Sequence, residues 1–245
     1  MDNTWSQSAG KNYAYILGVY LGDGAVTVRT PQNVGFRLGT IDPDFAEATK
    51  EALLAITGRT AKINKVEVKK SSKPNYDLRC ACGDFGLHLR EVTQNKKNIP
   101  SFVHEWDDEL KKAFVSGLMD SEGFVAEGKT GRITLTPCRY FMGFGCCDSW
   151  FMDFKKILES LGIQIGKVRH EKLKSGKTMQ RFHIHLNSWI KSGCRFNIKR
   201  KQDRVDAYAS YEPYSLRSRY PRRLSSETTR QTPKGEDIVR SYGTP

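Results

Sequence analysis

Two carboxylates, Asp23 and Glu122, each stand directly before a glycine at the end of a short apolar run, ILGVYLGDG at 16–24 and VSGLMDSEG at 115–123. Each run also carries small residues four apart, Gly18 and Gly22 in the first and Gly117 and Ser121 in the second. On a helix such positions share one face, and small side chains there let a second backbone come close. If the two faces pack together, the acids emerge side by side at the C-terminal helix ends, where the macrodipole is negative and carboxylates are disfavoured. Two adjacent anions in that place either share a proton or hold a divalent cation. Hard oxygen donors suit Mg2+, which keeps several waters and bridges to phosphate oxygens, and Mn2+ or Ca2+ can use the same donors. A cation held there activates water and stabilises a departing oxyanion, which is the chemistry of phosphodiester hydrolysis.

The charge balance points to the same substrate. With 40 Lys and Arg against 27 Asp and Glu, the chain of 245 residues carries a net charge of +13, so nucleic acid is its natural partner. The excess is divided evenly between the two halves, and the C-terminal tail is the most basic stretch for its length. The acids lie about one small domain apart, so the chain reads as a duplicated unit with one acid per copy. No apolar stretch is long enough to span a membrane, and the N-terminus has no basic segment followed by an apolar one. These features predict an intracellular protein in a reducing compartment. Six cysteines without paired CxxC spacing are then expected as free thiols rather than disulfides or zinc ligands.

The elements that must position the acids follow from periodicity. After the helix ending near Asp23, strands are expected at AVTVRT and GFRLGT. A helix then starts at Asp42-Pro43-Asp44 and stops at Gly58. Strands AKINKVEVKK and YDLRCAC and a helix from Asp84 to Gln94 complete the first half, before the linker KKNIPSF. The second half repeats this order: a helix from Glu105 to Ser121, strands FVAEG, RITLTP and YFMGFG, and a helix from Asp148 to Gly162. Strands IGKVRHEKL and MQRFHIHL and a helix from Asn187 to Phe196 follow. The outward strand faces would carry Arg29, Arg37, Arg79, Arg132, Arg169, Arg181 and His183, able to reach phosphates and base edges in a major groove.

With these motifs, spacing and element order, residues 12–205 resemble the LAGLIDADG homing endonucleases, specifically the single-chain type with two motif copies. Both nine-residue frames keep the central glycine (Gly18, Gly117), the penultimate acid (Asp23, Glu122) and the final glycine (Gly24, Gly123). The second also keeps an interior acid, Asp120, where the first has Leu21. The resemblance implies an α+β fold of two pseudo-symmetric αββαββα halves, 1–98 and 99–205, followed by a basic tail, 206–245, that is partly disordered. The motif helices would pack at the central interface, and the antiparallel sheets would form a DNA-binding saddle. It implies a monomeric, site-specific endonuclease that cuts both strands of a long asymmetric double-stranded DNA site across the minor groove. Asp23 and Glu122 would bind the catalytic cations, assisted by the backbone carbonyls of Gly22 and Ser121. Basic residues after the last helix of each half would stabilise charge at the scissile phosphate: Lys199 and Lys201 in one half, Lys96 and Lys97 in the other. Lys201 is alternatively a plain DNA contact. The positions expected to hold water-orienting side chains carry Thr40 and Cys146.

Plainer readings compete at several positions. The acids could be surface groups at helix ends, but their equivalence within a repeat favours the cation site. His183 and His185 have a spacing compatible with zinc, although an outward strand face favours DNA contact. Arg217, Arg219, Arg222 and Arg223 fit flanking phosphates or an unstructured solvated tail equally well. Two other functions stay open: an RNA maturase binding a structured intron, and a catalytically silent DNA-binding regulator. Retention of both acids argues against the silent forms.

Overall fold

A computed structural model of the chain describes residues 4–30, 32–67, 73–127 and 140–211. The first half opens with α1 (Thr4–Leu21), which kinks at Gly10 (φ +46°). It continues through β1 (Ala25–Thr30), β2 (Asn33–Thr40), α2 (Pro43–Thr57), β3 (Lys62–Val66), β4 (Asn75–Ala81) and α3 (Gly83–Val92). The second half begins with the single turn α4 (Phe102–Glu105) and then α5 (Asp108–Ser121). β5 (Gly123–Glu127), β6 (Tyr140–Cys146), α6 (Phe151–Ser160), β7 (Arg169–Lys172), β8 (Thr178–Ile184), α7 (Leu186–Ser192) and α8 (Lys199–Tyr211) follow.

Both sheets are antiparallel with the same strand order, β1-β2-β4-β3 in one and β5-β6-β8-β7 in the other. That identity of order confirms the α+β architecture of two equivalent halves. The period-2 pattern sets the faces: Val34, Phe36 and Leu38 of β2 and Leu78 and Cys80 of β4 are buried, while Arg37 and Arg79 are exposed. In the second sheet Met142, Phe144, Phe182 and Ile184 face inward, and Gly143, Gly145, Arg181 and His183 alternate with them. The two halves share one continuous core, in which Phe114 of α5 meets Trp106 and Phe154 edge-on and Phe144 stacks on Phe182.

Several boundaries differ from the sequence reading. The helix expected from Glu105 is broken at Trp106, because Asp107 turns out of helical geometry and accepts the Leu110 N–H at 2.8 Å as an N-cap. Only Arg169–Lys172 of IGKVRHEKL pairs as a strand, with Ile165 making an isolated bridge to Ile184. RITLTP, and with it Arg132, lies outside the described residues. The segment after Ile198 folds as α8, so the boundary drawn at 205 falls inside a helix. Of the tail, 212–245 lies outside the described residues, including Arg217, Arg219, Arg222 and Arg223.

Candidate active site

α1 and α5 make the most extensive contact between any two elements of the described chain. Glycine is required there on both sides. A Cβ on Gly18 would collide with the Phe114 carbonyl and lie 2.8 Å from the Leu118 nitrogen; one on Gly117 would collide with the Tyr15 carbonyl and lie 3.0 Å from the Val19 nitrogen. Further along, Gly22 abuts Ser121, and its Cβ would lie 3.5 Å from Glu122 Cγ. The seam therefore runs out at the C-terminal ends of both helices, where Asp23 and Glu122 stand together.

Their electrostatics reflect that proximity. The Glu122 carboxyl is raised above the ordinary carboxylate range, first by burial, then by the neighbouring charges of Asp23 and Asp148, with Lys96 and Lys201 pulling it back. Asp23 keeps solvent access, yet partial desolvation of its carboxyl also raises it, against Lys201 and Lys96. One lysine from each half thus faces the acid pair.

Each of these lysines caps a motif helix. Lys96 Nζ donates to the carbonyls of Gly22 at 2.5 Å and Gly24 at 3.0 Å and lies 5.6 Å from the Tyr20 ring centroid. Lys201 Nζ, in a residue only 3% exposed, donates to Met119 O at 2.9 Å and Asp120 O at 2.7 Å. Burial pushes the Lys201 ammonium down to about 8, while Asp120 supports its charge. Ammonium groups at these carbonyls offset the negative helix poles that disfavour the acids.

The segments bearing the lysines are fastened across the molecular seam. Lys96 sits in a turn in which Gln94, Asn95 and Lys96 all adopt left-handed geometry (φ +49°, +57° and +69°). Such geometry costs on the order of 1–2 kcal/mol per residue away from glycine. The turn is held by Asn95 N–H to Arg90 O at 2.6 Å and Lys97 N–H to Thr93 O at 2.9 Å. From the second half, the Trp150 indole donates to Lys96 O at 3.1 Å and Ser149 Oγ to Lys97 O at 2.6 Å. In the opposite direction, Arg200 grips Asp42 of the first half through two bonds of 2.5 and 2.7 Å, and the Lys199 N–H bonds Asp44.

Asp120, the interior acid of the second motif, is a strut. It accepts from Tyr15 Oη at 3.1 Å, the Asn197 N–H at 3.1 Å and the Ile198 N–H at 3.3 Å, tying α1, α5 and the approach to α8 together. Burial raises its carboxyl to about 6, against the lowering effect of Lys201 and these donors. The folded state therefore holds a proton that the unfolded chain has released between about pH 4 and pH 6. Stability contributed at this position is full at the acid end of that window and is lost as pH rises through it, by an amount on the order of 3 kcal/mol. Urea denaturation of wild type and Asp120→Asn at pH 4.5 and pH 7 checks this: the wild type is expected to lose more stability between the two pH values than the variant.

The other residues singled out by sequence divide clearly. Lys97 is exposed and contributes its carbonyl, not its ammonium, to the seam; Lys199 is exposed and paired with Asp203 at 2.7 Å. Lys96 and Lys201, rather than Lys97 and Lys199, are the lysines facing the acids. Thr40 borders a cavity of about 630 Å³ together with Asp23, Asp42, Ser121, Arg200 and Lys201. Cys146 is buried, and burial first of all pushes its thiol up to about 12, which leaves it a poor partner for water. Arg37 and Arg79 sit opposite one another on the outer face, with Asp77 between them, and Arg29 is exposed on β1. On the second sheet Arg169 pairs in register with Arg181, whose guanidinium lies 5.8 Å from the Phe124 ring centroid, and His183 lies opposite Gly143. Asp148, two residues beyond β6 and near both Glu122 and Lys96, was missed. Its place after the second strand, equivalent to that of Asp42, was the available signal.

Among the described residues, no group of three or more His, Cys, Asp or Glu side chains is gathered to hold a metal. Two carboxylates with backbone carbonyls beside them nevertheless fit a hard cation that keeps water and takes its remaining ligands from a phosphate. A transition-metal centre built on soft or nitrogen ligands does not fit this donor set.

Residues 11–107 match the family model of the LAGLIDADG-like domain. No curated protein matches. Among solved structures, full-length DUF199/WhiA from Thermatoga maritima is 12% identical over 83% of this chain, with a TM-score of 0.52, and this chain spans 61% of its length. The homing endonuclease I-WcaI bound to its DNA recognition sequence is 10% identical over 81% of this chain and 87% of its own, with a TM-score of 0.51. A point mutant of I-SmaMI is 11% identical over 80% of this chain and 89% of its own, also at 0.51. Identity this low speaks to the fold alone. Among the described residues no helix is long and apolar enough to cross a membrane. The family match covers residues 11–107, and the paired motif helices and two sheets of equal strand order show the fold of these solved structures in both halves.

Proposed function

We propose that the protein is a monomeric, site-specific endonuclease that hydrolyses both strands of a long, asymmetric double-stranded DNA target with Mg2+. The observation that carries this reading is the pair Asp23 and Glu122, one acid from each half, at the closely packed ends of α1 and α5. Two adjacent carboxylates, one of which raises the other's proton affinity, are of little use to a protein that only binds DNA. A cation held by Asp23 and Glu122, with the Gly22 and Ser121 carbonyls as further donors, would supply an activated water and charge for the leaving oxygen. Lys96 and Lys201 add positive charge beside the acids, where a phosphorane-like transition state gathers negative charge. The I-WcaI structure, in which this fold holds a DNA recognition sequence, supports the choice of substrate.

The sheets carry the recognition in this reading. Arg29, Arg37 and Arg79 on one, and Arg169, Arg181 and His183 on the other, face away from the core and would meet phosphates and base edges of successive half-sites. A phosphate-tracking surface of this charge is expected to lose about a thousandfold in DNA affinity between about 50 and about 200 mM salt. Fluorescence anisotropy of a labelled duplex over a salt titration measures this, and a nearly flat titration would contradict it.

The direct test is incubation with a randomised duplex library in Mg2+ or in chelator, followed by sequencing of cleaved ends. Recovery of one long asymmetric site, cut on both strands only with Mg2+, is the expected result. Selective binding without cleavage would favour a silent regulator, and intron splicing without DNA cleavage would favour a maturase.

A further inference from the structure

Lys96 directs its ammonium to two backbone carbonyls, those on either side of Asp23: Gly22 O at 2.5 Å and Gly24 O at 3.0 Å. Gly22 packs against Ser121 and beside Glu122, so its carbonyl belongs to the oxygen set around the two acids. A cation drawn to those acids and an ammonium already seated on that oxygen compete for the same lone pairs. The backbone of the Lys96 turn is fixed by the bonds from Trp150 and Ser149, but its side chain is a flexible four-carbon stem. Lys201 differs. Its carbonyl partners, Met119 and Asp120, lie within α5 rather than beside Asp23, and it is almost wholly buried.

From this geometry we infer that Lys96 is a built-in competitor for the cation: its ammonium occupies Gly22 O in the DNA-free protein and must be displaced when a divalent cation binds. The inference rests on the cation site proposed above. A DNA phosphate gives the released ammonium a new partner, so cation and DNA assist one another's binding and the DNA-free protein holds the cation weakly. Lys201 remains on its helix throughout.

Titration calorimetry with Mn2+ on DNA-free protein tests the competition. Lys96→Met, which keeps the stem without the charge, is expected to bind Mn2+ at least about tenfold tighter than wild type. Lys96→Gly should do the same, with the left-handed backbone relieved. Arg90→Gln, which removes a cation on α3 without touching the Gly22 or Gly24 carbonyl, should stay within about twofold. Wild type gives an independent readout: Ca2+ should increase acylation of Lys96 by an amine-reactive reagent, read by peptide mass spectrometry, and leave Lys201 protected. Folded Lys96 variants that bind no tighter than wild type, or a Lys96 whose reactivity is unchanged at saturating Ca2+, would overturn the inference. If that happens while Asp23→Asn still abolishes Mn2+ binding, the cation site stands and only the competition fails. Absence of Mn2+ binding in wild type and Lys96→Met alike removes the site and the inference together.

Discussion

Asp23→Asn and Glu122→Gln are each expected to reduce double-strand cleavage by about a thousandfold or more while leaving DNA affinity within a fewfold of wild type. Each substitution keeps the shape of the side chain and removes one anionic oxygen donor. Glu122 is crowded against Asp23, both acids lie beside the lysines that cap α1 and α5, and among the described residues no third acid is gathered with them into a metal-holding group. In the proposed reading DNA is bound elsewhere, on the sheet faces that carry Arg29, Arg37, Arg79, Arg169, Arg181 and His183, which is why affinity should survive. A double-strand cleavage assay on the selected target, paired with anisotropy on the same duplex, separates the two effects. Undiminished cleavage in either variant would refute the assignment of that acid. Loss of affinity in parallel with cleavage would instead mean that the acids shape the fold.

The second large effect concerns the seam. Gly18→Ala is expected to cost about 2–3 kcal/mol of stability, because the added methyl group falls on the Phe114 carbonyl, a backbone atom that cannot rotate aside. Gly117→Ala should cost a similar amount through the Tyr15 carbonyl. Both helices must separate to relieve the clash, and their separation also moves Gly22 from Ser121 and so pulls Asp23 away from Glu122. The variants are therefore expected to lose cleavage even at temperatures where they remain folded. Thermal melts and cleavage rates on the same preparations measure both consequences; wild-type stability in Gly18→Ala would mean that the helices do not meet as closely as described.

Much of this arrangement was legible in the residues. The seam could be read because only small side chains permit such an approach, and their spacing of four survives in both copies. The sheet faces could be read because period-2 alternation at Val34, Phe36 and Leu38 leaves few alternatives. What escaped reading was set by tertiary contacts between distant segments. Neither QNKKNI nor FNIKRKQ says which lysine turns inward. Lys96 is chosen over Lys97 by a left-handed turn anchored to Trp150 and Ser149, more than fifty positions away, and Lys201 over Lys199 by the register of α8. Asp120 illustrates the same limit. The motif comparison gives it no role, yet its carboxylate fastens the loop at Asn197 and Ile198 that delivers Lys201.

The two halves also depart from strict symmetry where charge is concerned. Asp42 is neutralised by Arg200, whereas Asp148, in the equivalent place, lies near Lys96 and adds its charge to Glu122. The two halves share one strand order, and the residues around the acids make their surroundings unequal.

The most direct measurement is a crystal of the protein with its selected DNA and Mn2+, with the metal located by anomalous scattering. Anomalous density is expected between the carboxylates of Asp23 and Glu122, in contact with a backbone phosphate of the duplex. Manganese bound only elsewhere, with the two acids facing away from the DNA, would contradict it.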